Sequence, residues 1–134
     1  MPLVLVIDDE PTIRQVVREI LEDVGHAVIE AGDGKVGLWL FREMRPDLTI
    51  VDLFMPEKEG IETILDMRAA SPTAKIIAIS GGGRFGTTGL LDGATDLGAT
   101  ATLAKPFRRD ALLAAVTQAL GGAPPRTTDY CCEI

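Results

Sequence analysis

The sequence predicts an α/β fold: an open parallel sheet with helices on both faces, joined by right-handed crossovers. Three observations carry that expectation. Five short apolar segments alternate along the chain with five helical ones. The clearest apolar segments are continuous rather than alternating, as expected of strands covered on both faces. Polar residues of complementary charge stand at the carboxyl ends of these segments, where open α/β sheets bind their ligands.

Leu3 to Ile7 is the first strand, a wholly apolar run. Glu10-Pro11-Thr12 opens a helix, with an acidic start and a proline where the first turn needs no N–H. Ile13, Val16, Val17, Ile20, Leu21 and Val24 give that helix its apolar stripe, and Gly25 stops it. His26 to Glu30 is the second strand. After the Asp33-Gly34 turn, Val36, Leu40, Phe41 and Met44 mark a second helical face that ends before Pro46. Leu48 to Val51 is the third strand and runs directly into Asp52. Ile61, Ile64, Leu65 and the stem of Arg68 line a third helix, ending near Ser71-Pro72. Lys75 to Ile79 forms the fourth strand. A glycine-rich loop (Gly81, Gly82, Gly83, Gly86) leads into a weaker helix near residues 89–97, and Ala99 to Ala104 makes a fifth strand. Arg108 to Leu120 is the last helix, with Leu112, Leu113, Val116 and Leu120 on or near one face.

With 134 residues, 46% of them hydrophobic, the chain fills one core and needs no disulfide or metal staple. Residues 1–120 are expected to form the domain. Residues 121–134 carry turn residues without periodicity and are expected to form a disordered tail, leaving no length for an output domain. The 20 acidic and 13 basic residues give a formal net charge of −7, which argues against binding nucleic acid through its phosphates. No apolar run is long enough to span a bilayer. The amino terminus lacks the basic start of a signal peptide. Cys131 and Cys132 are adjacent and lack other partners, so the expected compartment is the reducing cytoplasm.

The strand ends hold the chemistry. Asp8 and Asp9 follow the first strand, Asp52 the third, Ser80 the fourth and Lys105 the fifth. Crowded carboxylates repel, so a proton or a cation must join them. Oxygen donors without His or Cys favour a hard ion such as Mg²⁺. A bound Mg²⁺ and Lys105 would offset the charge of an incoming phosphoryl group, and one carboxylate would take that group as an acyl phosphate. The plain alternative is that Lys105 pairs with Asp52 and nothing binds.

Residues 2 to about 120 resemble the receiver domain of two-component response regulators, in the compact form of the single-domain chemotaxis regulator. The resemblance rests on Val6-Ile7-Asp8-Asp9-Glu10, Val51-Asp52-Leu53-Phe54-Met55-Pro56, Ile79-Ser80-Gly81 and Ala104-Lys105-Pro106-Phe107. It implies a flavodoxin-like doubly wound sheet of order 2-1-3-4-5 with five helices. It also implies Asp52 as phosphoacceptor, and Mg²⁺ held by Asp8, Asp9, Asp52 and the main-chain carbonyl of Phe54. Ser80 and Lys105 would contact the phosphoryl group, with Gly81 leaving room beside it. Lys105–Pro106 would be a cis peptide, and Met55-Pro56 and Gly60 would shape the loop into the third helix. The implied partners are a histidine kinase or histidine phosphotransfer protein and a downstream protein target. The implied chemistry is self-phosphorylation and autodephosphorylation rather than turnover of a substrate.

The sequence departs from the family pattern in two places. The loop after Ser80 is longer and richer in glycine, and Thr102 stands where many members carry a switching aromatic ring. Two rival functions remain: a phosphatase using an aspartyl-phosphate intermediate, and a receiver-shaped interaction module independent of phosphorylation. The first expects a D-x-D motif after the first strand, where this chain has Asp8-Asp9-Glu10. The intact Asp9, Asp52 and Lys105 weigh against the second.

Overall fold

The computed structural model describes residues 2–53, 59–80, 99–105 and 107–121, the side chains of residues 59 and 80 excepted. Five parallel strands form one sheet: β1 (Leu3–Ile7), β2 (Ala27–Ala31), β3 (Leu48–Asp52), β4 (Ile76–Ser80) and β5 (Ala101–Ala104). Their order is β2-β1-β3-β4-β5, as the resemblance implied. The described helices are α1 (Pro11–Asp23), α2 (Gly34–Met44), α3 (Glu59–Ala70) and α4 (Arg109–Ala119). The helix expected near residues 89–97, the loop before it and the tail from residue 122 lie outside the described residues. No described helix is long and apolar enough to cross a membrane.

The alternation of side chains along each strand sends one set to each face of the sheet. Leu5, Ile7, Val51, Ile76 and Ala78 pack with Phe41 of α2 and with Ile64 and Met67 of α3. Val4, Val6, Leu48, Ile50, Ile77 and Ile79 pack with Val17 and Leu21 of α1 and with Leu112, Val116 and Ala119 of α4. Covered on both faces, β1 and β4 carry continuous apolar runs, and the run of β3 is interrupted by the buried Thr49 before it reaches Asp52. The strands differ from expectation by a residue or two: β2 begins at Ala27, and β5 begins at Ala101.

The helical faces needed more correction. Val16, Val24, Val36, Met44 and Leu65, all assigned to apolar stripes, are 42–49% exposed. In α3 the buried positions include Thr63, Ile64 and Met67 instead of Leu65. In α2 the inward face is partly glycine. Gly37 is buried against β1, and a Cβ built there would stand 2.4 Å from Cδ1 and 2.8 Å from Cγ1 of Ile7. The helix lies so close to the sheet that a side chain has no room, which hides this position from a search for apolar residues.

Gly37→Ala is therefore expected to lower stability by about 1–3 kcal/mol through overpacking, despite the better helix propensity of alanine. Adding Ile7→Val, which shortens the obstructing side chain, is expected to recover part of the loss. Urea midpoints across the double-mutant cycle measure that coupling. Strict additivity of the two changes would show that they do not meet.

His26 lies just before β2, at the sheet edge opposite Asp8, since Ala27 pairs with Leu3 at the start of β1. Its Nδ1 is buried and meets no partner among the described residues. Burial lowers its pKa below the ordinary value of 6.5. The unfolded chain then binds this proton more readily, so stability rises with pH over the interval just below 6.5. Removing the titration with His26→Gln is expected to flatten that part of the stability profile; an unchanged slope would assign it to other groups.

Candidate functional site

Because all strands are parallel, the carboxyl ends of β1, β3, β4 and β5 share one edge. The chain reverses its direction of growth between β1 and β3, the place where such sheets leave a crevice. Asp8 follows β1, Asp52 is the last residue of β3, Ser80 the last of β4, and Lys105 follows β5. Ile7 pairs with Val51, Asp52 with Ile79 and Ser80 with Ala104, so these positions stand level across the sheet.

Lys105 crosses the edge and joins the carboxylates. Its Nζ donates to Oδ2 of Asp8 at 3.0 Å and to Oδ2 of Asp52 at 3.3 Å. Oε1 of Glu10 lies 3.8 Å away. Asp8 and Asp52 are each 2% exposed and the lysine side chain 11%, so these ions meet largely out of water. Burial works against the charge on Lys105, but the hydrogen bond to Asp8 and the charges of Asp52 and Asp8 outweigh it and raise the pKa above its ordinary value of 10.5. A base held above its unfolded pKa contributes its stability below that value and loses it as pH rises further. At neutral pH Lys105 is therefore a fixed cation.

Asp8 is held at several points. Its N–H donates to the Ala31 carbonyl at 3.1 Å, and its Oδ1 accepts the Glu10 N–H at 2.9 Å. Asp9 and Glu10 are exposed at the mouth. One carboxylate oxygen from each of Asp8, Asp9 and Glu10 lies within 4.8 Å of the others. In the sequence Glu10 opens a helix and closes the Val6-Ile7-Asp8-Asp9-Glu10 motif, without being named a cation ligand. The signal that it also belongs here was its place as a third consecutive acid. These three acids offer only oxygen donors, one of them on the buried Asp8, and the buried carboxylate of Asp52 shares Lys105 with Asp8; such donors suit a hard divalent cation.

Asp52 owes its position to a close approach from α3. A Cβ at Gly60 would stand 2.3 Å from the Asp52 carbonyl oxygen and 2.6 Å from Cα of Leu53. The first turn of the helix thus packs directly on the end of β3. Leu53 continues the sheet pairing by donating its N–H to the Ile79 carbonyl at 2.7 Å. Thr102 is half-buried in β5 and pairs with Ala78. Phe54, Met55, Pro56, Gly81 and Pro106, and the side chain of Ser80, lie outside the described residues. A groove of about 900 Å³ opens at the opposite end of the sheet, among Pro2, Phe41, Arg45, Lys75 and Leu120. It contains none of the converging residues.

The family model described as the response regulator receiver domain matches residues 4–117. Protein CcdB of Bacillus subtilis is 35% identical over 122 residues, covering 90% of this chain and 99% of that protein. Chemotaxis protein CheY of Listeria monocytogenes is 32% identical over 116 residues, covering 86% and 95%. The crystal structure of a response regulator receiver domain protein from Clostridium thermocellum superposes with a TM-score of 0.83 at 30% identity, covering 90% and 95%. The chain belongs to the response regulator receiver domain family, the phosphorylation-based signalling module of two-component systems.

Proposed function

We propose that this receiver accepts a phosphoryl group on Asp52 from the phosphohistidine of a histidine kinase or phosphotransfer protein. The observation that carries it is the buried ammonium of Lys105, set between Asp8 at 3.0 Å and Asp52 at 3.3 Å on the ligand-binding edge of the sheet. In the transfer, a carboxylate oxygen of Asp52 forms a bond to phosphorus while the N–P bond breaks, and the imidazole leaves and takes up a proton. Hydrolysis reverses the state of Asp52: water attacks phosphorus, the aspartyl O–P bond breaks, and inorganic phosphate departs. Both steps gather negative charge beside Asp52, and the ammonium of Lys105, 3.3 Å from that carboxylate, would offset it.

Asp8, Asp9 and Asp52, with the main-chain carbonyl of Phe54, are the ligands we assign to Mg²⁺, which would neutralise phosphoryl charge when bound. Lys105 would then transfer part of its attention from the carboxylates to the phosphoryl oxygens, with Ser80 contacting a further oxygen. The product is a signal and not a released metabolite. Phosphorylation is proposed to change affinity for a downstream protein or to pass the group onward. A bias of about 1–3 kcal/mol between two conformers shifts such binding roughly 5–150-fold.

Borohydride reduction of the phosphorylated protein locates the group, because it converts an aspartyl phosphate to homoserine. Peptide mass spectrometry is expected to find homoserine at position 52. Homoserine at position 8 or 9 instead would overturn the assignment of the acceptor.

A further inference from the structure

Arg14 is not one of the strand-end residues, yet it reaches the acidic pocket from behind. It lies on the first turns of α1, where its own N–H donates to the Glu10 carbonyl. Its Nη1 donates to the main-chain carbonyl of Asp8 at 2.6 Å, and its Nε donates to Oε1 of Glu30 at 3.0 Å. Glu30 is itself gripped by Arg18, which also donates to the Val28 carbonyl at 3.2 Å and to Glu22 at 3.1 Å. The Arg14 and Glu30 side chains are only 19% and 24% exposed. The space beside the guanidinium is narrow as well: a Cβ at Gly32 would come within 3.4 Å of Nη1.

The two main-chain polar groups of Asp8 are thus both fixed, the N–H by Ala31 of β2 and the carbonyl by Arg14 of α1. The Asp8 carbonyl belongs to the peptide unit that joins Asp8 to Asp9. Holding it sets the relative placement of two adjacent carboxylates. We infer that Arg14, anchored by Glu30, is a positioning residue that holds the Asp8–Asp9 peptide in the conformation a divalent cation needs. This inference rests on the proposed Mg²⁺ site, and it assigns Arg14 no contact with the ion or the phosphoryl group.

Two simpler roles make different predictions. If Arg14 only fastened α1 to β2, its loss would lower stability and leave cation affinity unchanged. If it acted only through its charge, removing a cation near the pocket would tighten Mg²⁺ binding. A positioning role has the opposite sign. Loss of partners that orient metal ligands typically weakens affinity by about 10–100-fold.

The test is calorimetric titration of the full chain with Mg²⁺, without any phosphodonor. Arg14→Met is expected to weaken binding at least about 10-fold while circular dichroism shows a folded protein. Arg14→Lys is expected to restore little, since a single ammonium lacks the fork that spans Asp8 and Glu30. Arg109→Met removes an equal charge from an exposed pair with Asp23 at 2.7 Å and is expected to leave the affinity unchanged. Should Arg14→Met fail to fold, Glu30→Gln keeps Arg14 and weakens only its anchor, and it is expected to shift affinity in the same direction by less. Unchanged or tighter binding in the folded Arg14 variant, or in Glu30→Gln where that variant stands in, overturns the inference. A wild type that binds no Mg²⁺ overturns both the metal site and the inference. A wild type that binds Mg²⁺ but accepts no phosphoryl group overturns the proposed function and leaves the role of Arg14 to the titration.

Discussion

Lys105→Met is expected to destabilise the protein by about 3–5 kcal/mol, the range for removing one partner from a buried ion pair. The cause is the excess of anions. Lys105 is held against both Asp8 and Asp52, each 2% exposed, with Glu10 nearby at 3.8 Å. Without the ammonium, two buried carboxylates lose a shared counter-charge. Methionine fills similar space but cannot replace it. The reverse change has the opposite sign: Asp9→Asn, which relieves repulsion at an exposed position of the same cluster, is expected to raise stability modestly. Urea unfolding of both variants at neutral pH and without divalent cations measures the pair. Equal effects of the same sign would show that anion crowding does not govern this edge.

Gly60→Ala is the second large effect. The added methyl would meet main-chain atoms of Asp52 and Leu53 at 2.3 and 2.6 Å, and backbone cannot rotate aside as a side chain can. Either α3 lifts from the sheet or the end of β3 moves. The expected cost is about 3 kcal/mol, the upper part of the overpacking range, despite alanine's better helix propensity. That corresponds to roughly 10 °C in Tm for a domain of this size. Because the displaced carbonyl belongs to Asp52, phosphoryl acceptance is expected to fall as well. Thermal unfolding and the rate of modification by a small phosphodonor separate the two consequences. A variant as stable and as reactive as wild type would show that the helix relaxes without disturbing β3.

The strands were legible because burial on both faces leaves a simple mark, an unbroken apolar run such as Leu3 to Ile7. Helical faces were less so. Periodicity placed Val36 and Leu65 inward, yet both are 45% exposed, while Gly37 and Thr63 lie inside. At Gly37 the decisive quantity is the distance to Ile7, which no hydropathy pattern records. The parallel sheet explains why Asp8, Asp52 and Lys105 were found together: each ends or follows an apolar run, and parallel order puts those ends on one edge. Arg14 and Glu30 escaped because their importance lies in a contact between α1 and β2 that involves a main-chain carbonyl. Thr102 was legible as a departure from the family pattern, and it lies in β5 beside Ala78.

The most direct measurement is intact mass after incubation with acetyl phosphate and Mg²⁺, for wild type and Asp52→Asn. The expected result is one added phosphoryl group on the wild type, dependent on Mg²⁺ and absent from the variant. No adduct on the wild type, together with no binding of the phosphoryl mimic beryllofluoride, would contradict phosphotransfer to Asp52 and leave a receiver fold that works by interaction alone.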